Sequence, residues 1–243
     1  MKRKSELFKV LVFVAVLLAA MLGISATAGA WSEGRTPSAV GTHDKLIALA
    51  AAVADTNRDG SADWLDVPEA QAVSHYPDEV YKDTNNHIYD VWGLLRMGTA
   101  PTAVKSHYGK AVAALQAGDL TLASQEVGLM AHYYDDIWNP WHTTYEFPNL
   151  GTQALYHTRY ETDVLTHEPA SVKADGYNAV TDAATATKAA AGISRGSYST
   201  IANAYISGAG YTSAVNTATQ TMLTKAANGL ADLITSIAVA AGR

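Results

Sequence analysis

The sequence predicts an all-α fold, and three observations carry that prediction. Apolar residues recur at helical spacing, most extensively from Thr212 to Ala240. Helix-starting and helix-stopping residues fall where such stretches begin and end. No stretch alternates apolar and polar residues in the manner of a hairpin. Alanine-rich segments add helix propensity.

The elements follow in chain order. Residues 1–30 open with basic Met-Lys-Arg-Lys, continue through apolar Val10–Ile24, and end at Ala28-Gly29-Ala30, a small-x-small site. The apolar run is short for a membrane-spanning helix, which needs about 20 apolar residues. The expectation is a removable export signal, cut between Ala30 and Trp31, and a secreted single domain at 31–243. Leu46–Val53 continues an apolar face and belongs to a first helix, with His43 at its start. Val104–Gln116 is a second, ended by Gly118. Asp119 is a candidate N-cap for a helix to about Asp136, stopped by Asn139-Pro140. Tyr156–Leu165 is a short helix before Pro169. Ala170–Ala191 is rich in alanine, threonine and valine and falls within the helical reading. In Thr212–Ala240, Val215, Met222, Leu223, Leu230, Leu233, Ile234 and Ile237 share one face. Asp55–Thr102 is the least regular stretch, and loops held by a rigid scaffold are where sites concentrate.

The chain has 243 residues, a formal net charge of −6 and no cysteine. Cleavage after Ala30 removes Lys2, Arg3, Lys4 and Lys9 against Glu6, a net +3, which takes the remainder to −9. That balance argues against a general nucleic-acid coat or a basic membrane-surface protein. Without disulfides, an exported domain relies on its core or on metal. Eight histidines supply ligands.

Their spacing is informative. His132 and Asp136 are four apart on one predicted helix, so both side chains share a face. His142 follows six residues later, just past Pro140. His157 and Glu161 form a second i, i+4 pair. Asp78 and His87 lie upstream in the irregular region. After signal removal Trp31 would present a free α-amine and carbonyl, a further chelating pair, and an α-amine pKa near 7.7–8.0 makes that proton easy to lose. His75, His107 and His167 fall outside the pattern, the last two read as surface residues. Tyr133, Tyr134, Trp138, Trp141, Tyr145, Phe147 and Tyr160 crowd the ligand segments and read as packing around the site.

The segment His132-Tyr133-Tyr134-Asp135-Asp136-Ile137-Trp138-Asn139-Pro140-Trp141-His142 resembles the signature of bacterial zinc-dependent phospholipases C, relatives of the single-strand-specific zinc nucleases. The full order Trp31, His43, Asp78, His87, His132, Asp136, His142, His157, Glu161 follows the same pattern. Asp135 stands where that pattern has glycine or threonine, Trp138 where it has a small polar residue, and Tyr145 where it has asparagine. The resemblance implies a compact multi-helix domain with three Zn²⁺. Asp78, His87, His132 and Asp136 would hold one. His142, His157 and Glu161 would hold a second. The Trp31 amine and carbonyl with His43 and Asp136 would hold the third. Asp83 and Asp90 are alternatives to Asp78. Three such cations against Asp78, Asp136 and Glu161 leave a cationic pocket in an acidic chain, suited to a phosphate ester.

The expected activity is hydrolysis of phospholipid head-group phosphodiesters by a zinc-activated water, with Asp78 as the catalytic carboxylate. The chain is expected to work as a monomer. The alternative is a single-stranded nucleic acid substrate for the same metals, and a second is a non-catalytic exported zinc-binding protein. Asp55, Asn57, Asp59, Ser61, Asp63 and Asp66 have the spacing of a calcium loop, an insertion at 55–66 with glycine at its sixth position, and predict one Ca²⁺.

Overall fold

A computed structural model describes residues 41–92, 96–144 and 150–243. The export segment, Trp31, Tyr145 and Phe147 lie outside these described residues. The described residues are helical and contain no strand, only an isolated bridge between Asp90 and Met97. The helices are α1 (Thr42–Asn57), α2 (Val67–Val73), α3 (Tyr76–Glu79), α4 (Ala100–Ala117), α5 (Leu120–Trp138), a 3₁₀ turn (Pro140–His142), α6 (Leu150–Val164), α7 (Ala183–Arg195), α8 (Tyr198–Ile206) and α9 (Ser213–Ala240). Among the described residues no helix is long and apolar enough to cross a membrane.

Helix α5 is the axis of the molecule. Asp119 caps it as expected, its Oδ1 accepting the Leu122 N–H at 3.0 Å. From Val127 to Trp138 every residue of α5 is buried. A helix buried all round needs neighbours on every side, and α2, α4, α7 and α9 provide them. Gly118, at φ +79°, ends α4 with the left-handed turn that glycine accepts without steric cost. Gly128 lets α2 approach, since a Cβ there would overlap the Ala70 carbonyl and crowd Val73. Gly128→Ala is therefore expected to cost about 1–3 kcal/mol, seen as a Tm several degrees below the parent's. An unchanged Tm would mean that α2 and α5 separate freely.

Helix α9 carries the largest apolar face. Thr212 caps it, accepting the Val215 N–H at 3.3 Å, and Leu223, Leu230, Leu233, Ile234 and Ile237 are fully buried. Its polar side chains hold an extended strap. Within 170–191 only the part from Ala183 onward is helical; 169–182 crosses α9 without helical structure. Asn228 bonds the Asp175 N–H and the Lys173 carbonyl, Asp232 accepts from Asn178 N–H at 2.8 Å, and Ser236 accepts from Val180 N–H at 2.9 Å. These three residues recur every fourth position on one face of α9. They satisfy strap backbone groups that a helix would have satisfied internally. Three further helices, α2, α3 and α8, have no clear signal in the sequence. Helix α6 begins six residues before its expected start at Tyr156.

Residues 55–57 form the end of α1, and 58–66 run through turns to α2. Four of the six candidate side chains in this segment bond to protein partners. Asp55 Oδ1 accepts from Ala62 N–H, Asn57 Oδ1 from Gly176 N–H, and Asp66 Oδ1 caps α2 by accepting from Glu69 N–H. Ser61 Oγ is buried and bonds the Ala54 carbonyl. Among the described residues, Asp55, Asp59, Asp63 and Asp66 are in none of the groups whose ligand atoms converge. Among the described residues the segment thus has turn and cap hydrogen bonding at Asp55, Asn57, Ser61 and Asp66.

Candidate metal centre

Three groups of buried histidines and carboxylates converge among the described residues: His43, His132 and Asp136; Asp78, His87 and His132; and His142, His157 and Glu161. Each comes from a different part of the chain. His43 sits in the first turn of α1. His132 and Asp136 project from one face of α5, while α6 presents His157 and Glu161 with the same i, i+4 spacing. Asp78 lies on α3. His142 ends the 3₁₀ turn that Pro140 starts after α5 stops.

His87 lies in an irregular loop, so other contacts must place it. The Tyr89 N–H donates to the His142 carbonyl at 3.0 Å, and Ala100 N–H to the Ile88 carbonyl at 3.2 Å. Gly98, at φ +92°, closes the loop where a Cβ would overlap that same Ile88 carbonyl. Arg195 adds a clamp that no sequence motif announces. Its Nη1 donates to Asp90 Oδ1 at 3.0 Å and to the Thr143 carbonyl at 2.9 Å, and its guanidinium lies 5.5 Å from the Trp92 ring. It thus ties the His87 loop to the His142 turn.

His132 is common to the first two groups, and Asp136 touches residues of both. Its Oδ1 is 3.4 Å from His43 Nε2. Its Oδ2 is 2.6 Å from His87 Nδ1 and 3.5 Å from His132 Nε2. His132 Nε2 and His87 Nδ1 are 3.1 Å apart. Asp78 approaches His87 Nε2 at 3.6 Å and His132 Nε2 at 3.8 Å, and at 14% exposed it is the least buried of the set. In the third group, Glu161 Oε1 is 2.6 Å from His157 Nε2 and 3.5 Å from His142 Nε2.

These separations suit a metal. Nitrogen and oxygen ligands about 2.0–2.1 Å from a tetrahedral Zn²⁺ lie roughly 3.3–3.4 Å from one another. Most of the spacings are close to that value; the two at 2.6 Å are hydrogen-bond lengths. His87 Nε2, Asp136 Oδ1 and His142 Nε2 are buried and make no hydrogen bond, which is unusual for buried polar atoms and typical of ligand atoms. The donor set, imidazole with carboxylate and without thiolate, suits zinc.

A second layer orients the ligands. His142 Nδ1 lies 2.8 Å from the His87 carbonyl and, as the donor, leaves Nε2 as the acceptor facing Glu161. His132 bonds the Ser74 backbone. Asn139 is buried; its Nδ2 donates to Glu161 Oε1 at 2.8 Å, and its Oδ1 accepts from the Trp141 N–H. In the sequence Asn139 reads only as a helix stop. Its position three residues before the ligand His142, beside Pro140, is the signal that points further.

Burial and charge compete here. Burial pushes the Asp136 carboxyl up, but the imidazoles of His132 and His142 outweigh it and hold the group well below its ordinary range. Glu161 is likewise held below its usual value, burial being outweighed by His157 and His142. Asp78 is pushed up to about 6, mainly by burial. Asp83 and Asp90, the alternatives to Asp78, are used elsewhere: Asp83 bonds Asn85, Asn86 and Tyr133, and Asp90 pairs with Arg195. Tyr133, Tyr134, Trp138, Trp141 and Tyr160 are buried; Tyr133 lies edge-on to His87 and His132, whereas Tyr134 packs on Trp138 and Tyr160 on Tyr205. His167 is exposed, whereas His107 is half-buried and bonded to Glu126 at 2.6 Å.

No protein-family model and no curated protein matches the chain. Solved structures do resemble it. Alpha-toxin from an avian strain of Clostridium perfringens matches with a TM-score of 0.65 at 15% identity, over 82% of this chain and 63% of that one. The alpha toxin of Clostridium absonum matches with a TM-score of 0.65 at 16% identity, over 84% of this chain and 65% of that one. The chain thus spans less than two thirds of either toxin's length. The shared feature is the fold: this chain has an all-α architecture similar to that of those toxins.

Proposed function

We propose that the chain is an exported zinc-dependent phosphodiesterase of phospholipase C type, acting on phospholipid head-group esters. The observation that carries this reading is the shared Asp136. One buried carboxylate lies between two histidine groups, a third group lies beside them, and the whole sits in a fold shared with the alpha-toxins. Asp78, His87, His132 and Asp136 would hold one zinc, and His142, His157 and Glu161 a second. His43 and Asp136 would hold a third with the amine and carbonyl of Trp31, freed by cleavage after Ala30. Bound zinc supplies Lewis-acid chemistry and lowers the pKa of water to about 7.

The chain's own residues do the rest. Asp78 is at the exposed edge of the site, so it meets an entering phosphodiester first and accepts the proton of the attacking water at a carboxylate oxygen. Asn139 holds Glu161 Oε1 and the 3₁₀ turn in register. Arg195 fixes the two ligand-bearing loops against each other. Rigid placement of this kind is where much of a hydrolase's rate advantage originates.

Zinc-loaded protein should release phosphocholine from phosphatidylcholine, and His142→Ala or Glu161→Ala should lower that rate by at least about 10²-fold. Undiminished turnover in both variants would reject the catalytic reading. Cleavage of single-stranded DNA with no lipid hydrolysis would instead assign the site to a nuclease.

A further inference from the structure

The metal reading leaves one buried acid beside the site unused. Asp135 is fully buried on α5, next to Asp136. Successive residues of a helix point about 100° apart, and the structure shows the consequence at His43. Asp136 Oδ1 lies 3.4 Å from His43 Nε2, and Asp135 Oδ2 lies 3.8 Å from His43 Nδ1. The two carboxylates thus take opposite nitrogens of one imidazole. The ring is held between them and stacks on His132, with centroids 4.2 Å apart and planes inclined by 27°.

The arrangement separates two roles. The convergent group at this place contains His43, His132 and Asp136 but not Asp135. A cation on the Nε2 side of the ring is therefore shared with Asp136, while Asp135 remains behind the ring. An imidazole that ligates through one nitrogen carries its proton on the other. A carboxylate facing that N–H fixes the tautomer, aims the ring and makes the ligating nitrogen more basic.

We propose that Asp135 is a positioning carboxylate for His43, accepting the Nδ1–H so that Nε2 is presented to a metal shared with Asp136. This rests on the metal reading above and deepens it at one centre. The same position departs from the phospholipase pattern, which has glycine or threonine there. This chain therefore reinforces its His43 centre from within α5, and the adjacent pair Asp135-Asp136 performs both tasks from neighbouring positions.

The test compares Asp135→Asn with the parent chain, both prepared with zinc and dialysed against graded chelator, with zinc per chain measured at each step. The expected result is one zinc held about 10–100-fold more weakly in the variant, with the others held at parent affinity. Melting of the metal-free forms supplies the readout that separates positioning from general structural support: the variant should melt no lower than the parent. Asp135→Gly, which removes the carboxylate without adding bulk, should show the same single weakened zinc. In a His43→Ala background, Asp135→Asn should change zinc affinity no further, because the two residues act through one ligand. Equal retention of every zinc by parent and variant would overturn the proposal while leaving the metal reading intact. A parent that takes up no zinc would overturn both.

Discussion

Asp136→Asn is expected to weaken two metal positions with a single substitution. One oxygen of Asp136 faces His43 and the other faces His87 and His132. The amide keeps the shape of the carboxylate but removes its charge and turns one acceptor into a donor. The nitrogen then faces imidazole nitrogens that need an anion beside them. The variant should retain one zinc, in the His142, His157 and Glu161 group, and lose hydrolysis by at least about 10²–10³-fold. Glu161→Gln should give the complementary pattern, with two zincs retained. Loss of a single zinc in Asp136→Asn would mean that the carboxylate serves one centre only.

Metal removal should also destabilise the fold substantially. The histidines and carboxylates of the proposed set are packed at the junction of α1, α3, α5 and α6 and the intervening loops. Without cations, carboxylates and imidazoles here are buried with incomplete compensation, which is costly. A metal present at about a thousand times its Kd, and bound by the folded state alone, stabilises by about 4 kcal/mol. For a chain of this size that corresponds to roughly 8–16 °C per metal. Chelation should lower Tm by at least that amount, and added zinc should restore it. Identical melting with and without chelator would remove metal from the account of stability.

The parts of the fold that are legible in the sequence are those fixed by local chemistry. Asp119 and Thr212 cap helices through their own side chains, Gly118 ends one, and Asn139-Pro140 stops another. The i, i+4 spacing of His132 with Asp136 and of His157 with Glu161 puts four ligands on two helical faces by helix geometry alone. Asp78 and His87 are readable only by pattern, because the contacts that seat the His87 loop are long-range: Gly98 against Ile88, and Tyr89 against His142. The strap at 169–182 is not legible for the same reason. Its alanines and valines fit a helical reading, yet it is held extended by Asn228, Asp232 and Ser236, which lie 53 to 56 residues further along the chain. Arg195 acts on the site through partners that no local spacing reveals, and Asn139 is marked only by its place three residues before His142. Asp135 is visible as an unusual residue, but its relation to His43 exists only once α1 lies against α5. The 55–66 spacing also has a use in hydrogen bonding: Asp55 Oδ1 accepts the Ala62 N–H, and Asp66 Oδ1 caps α2.

The central claim is that these convergent groups form a zinc centre, and metal content per chain tests it most directly. The chain beginning at Trp31 should retain three zinc atoms after exhaustive dialysis. Zinc absent after loading and dialysis would contradict the account.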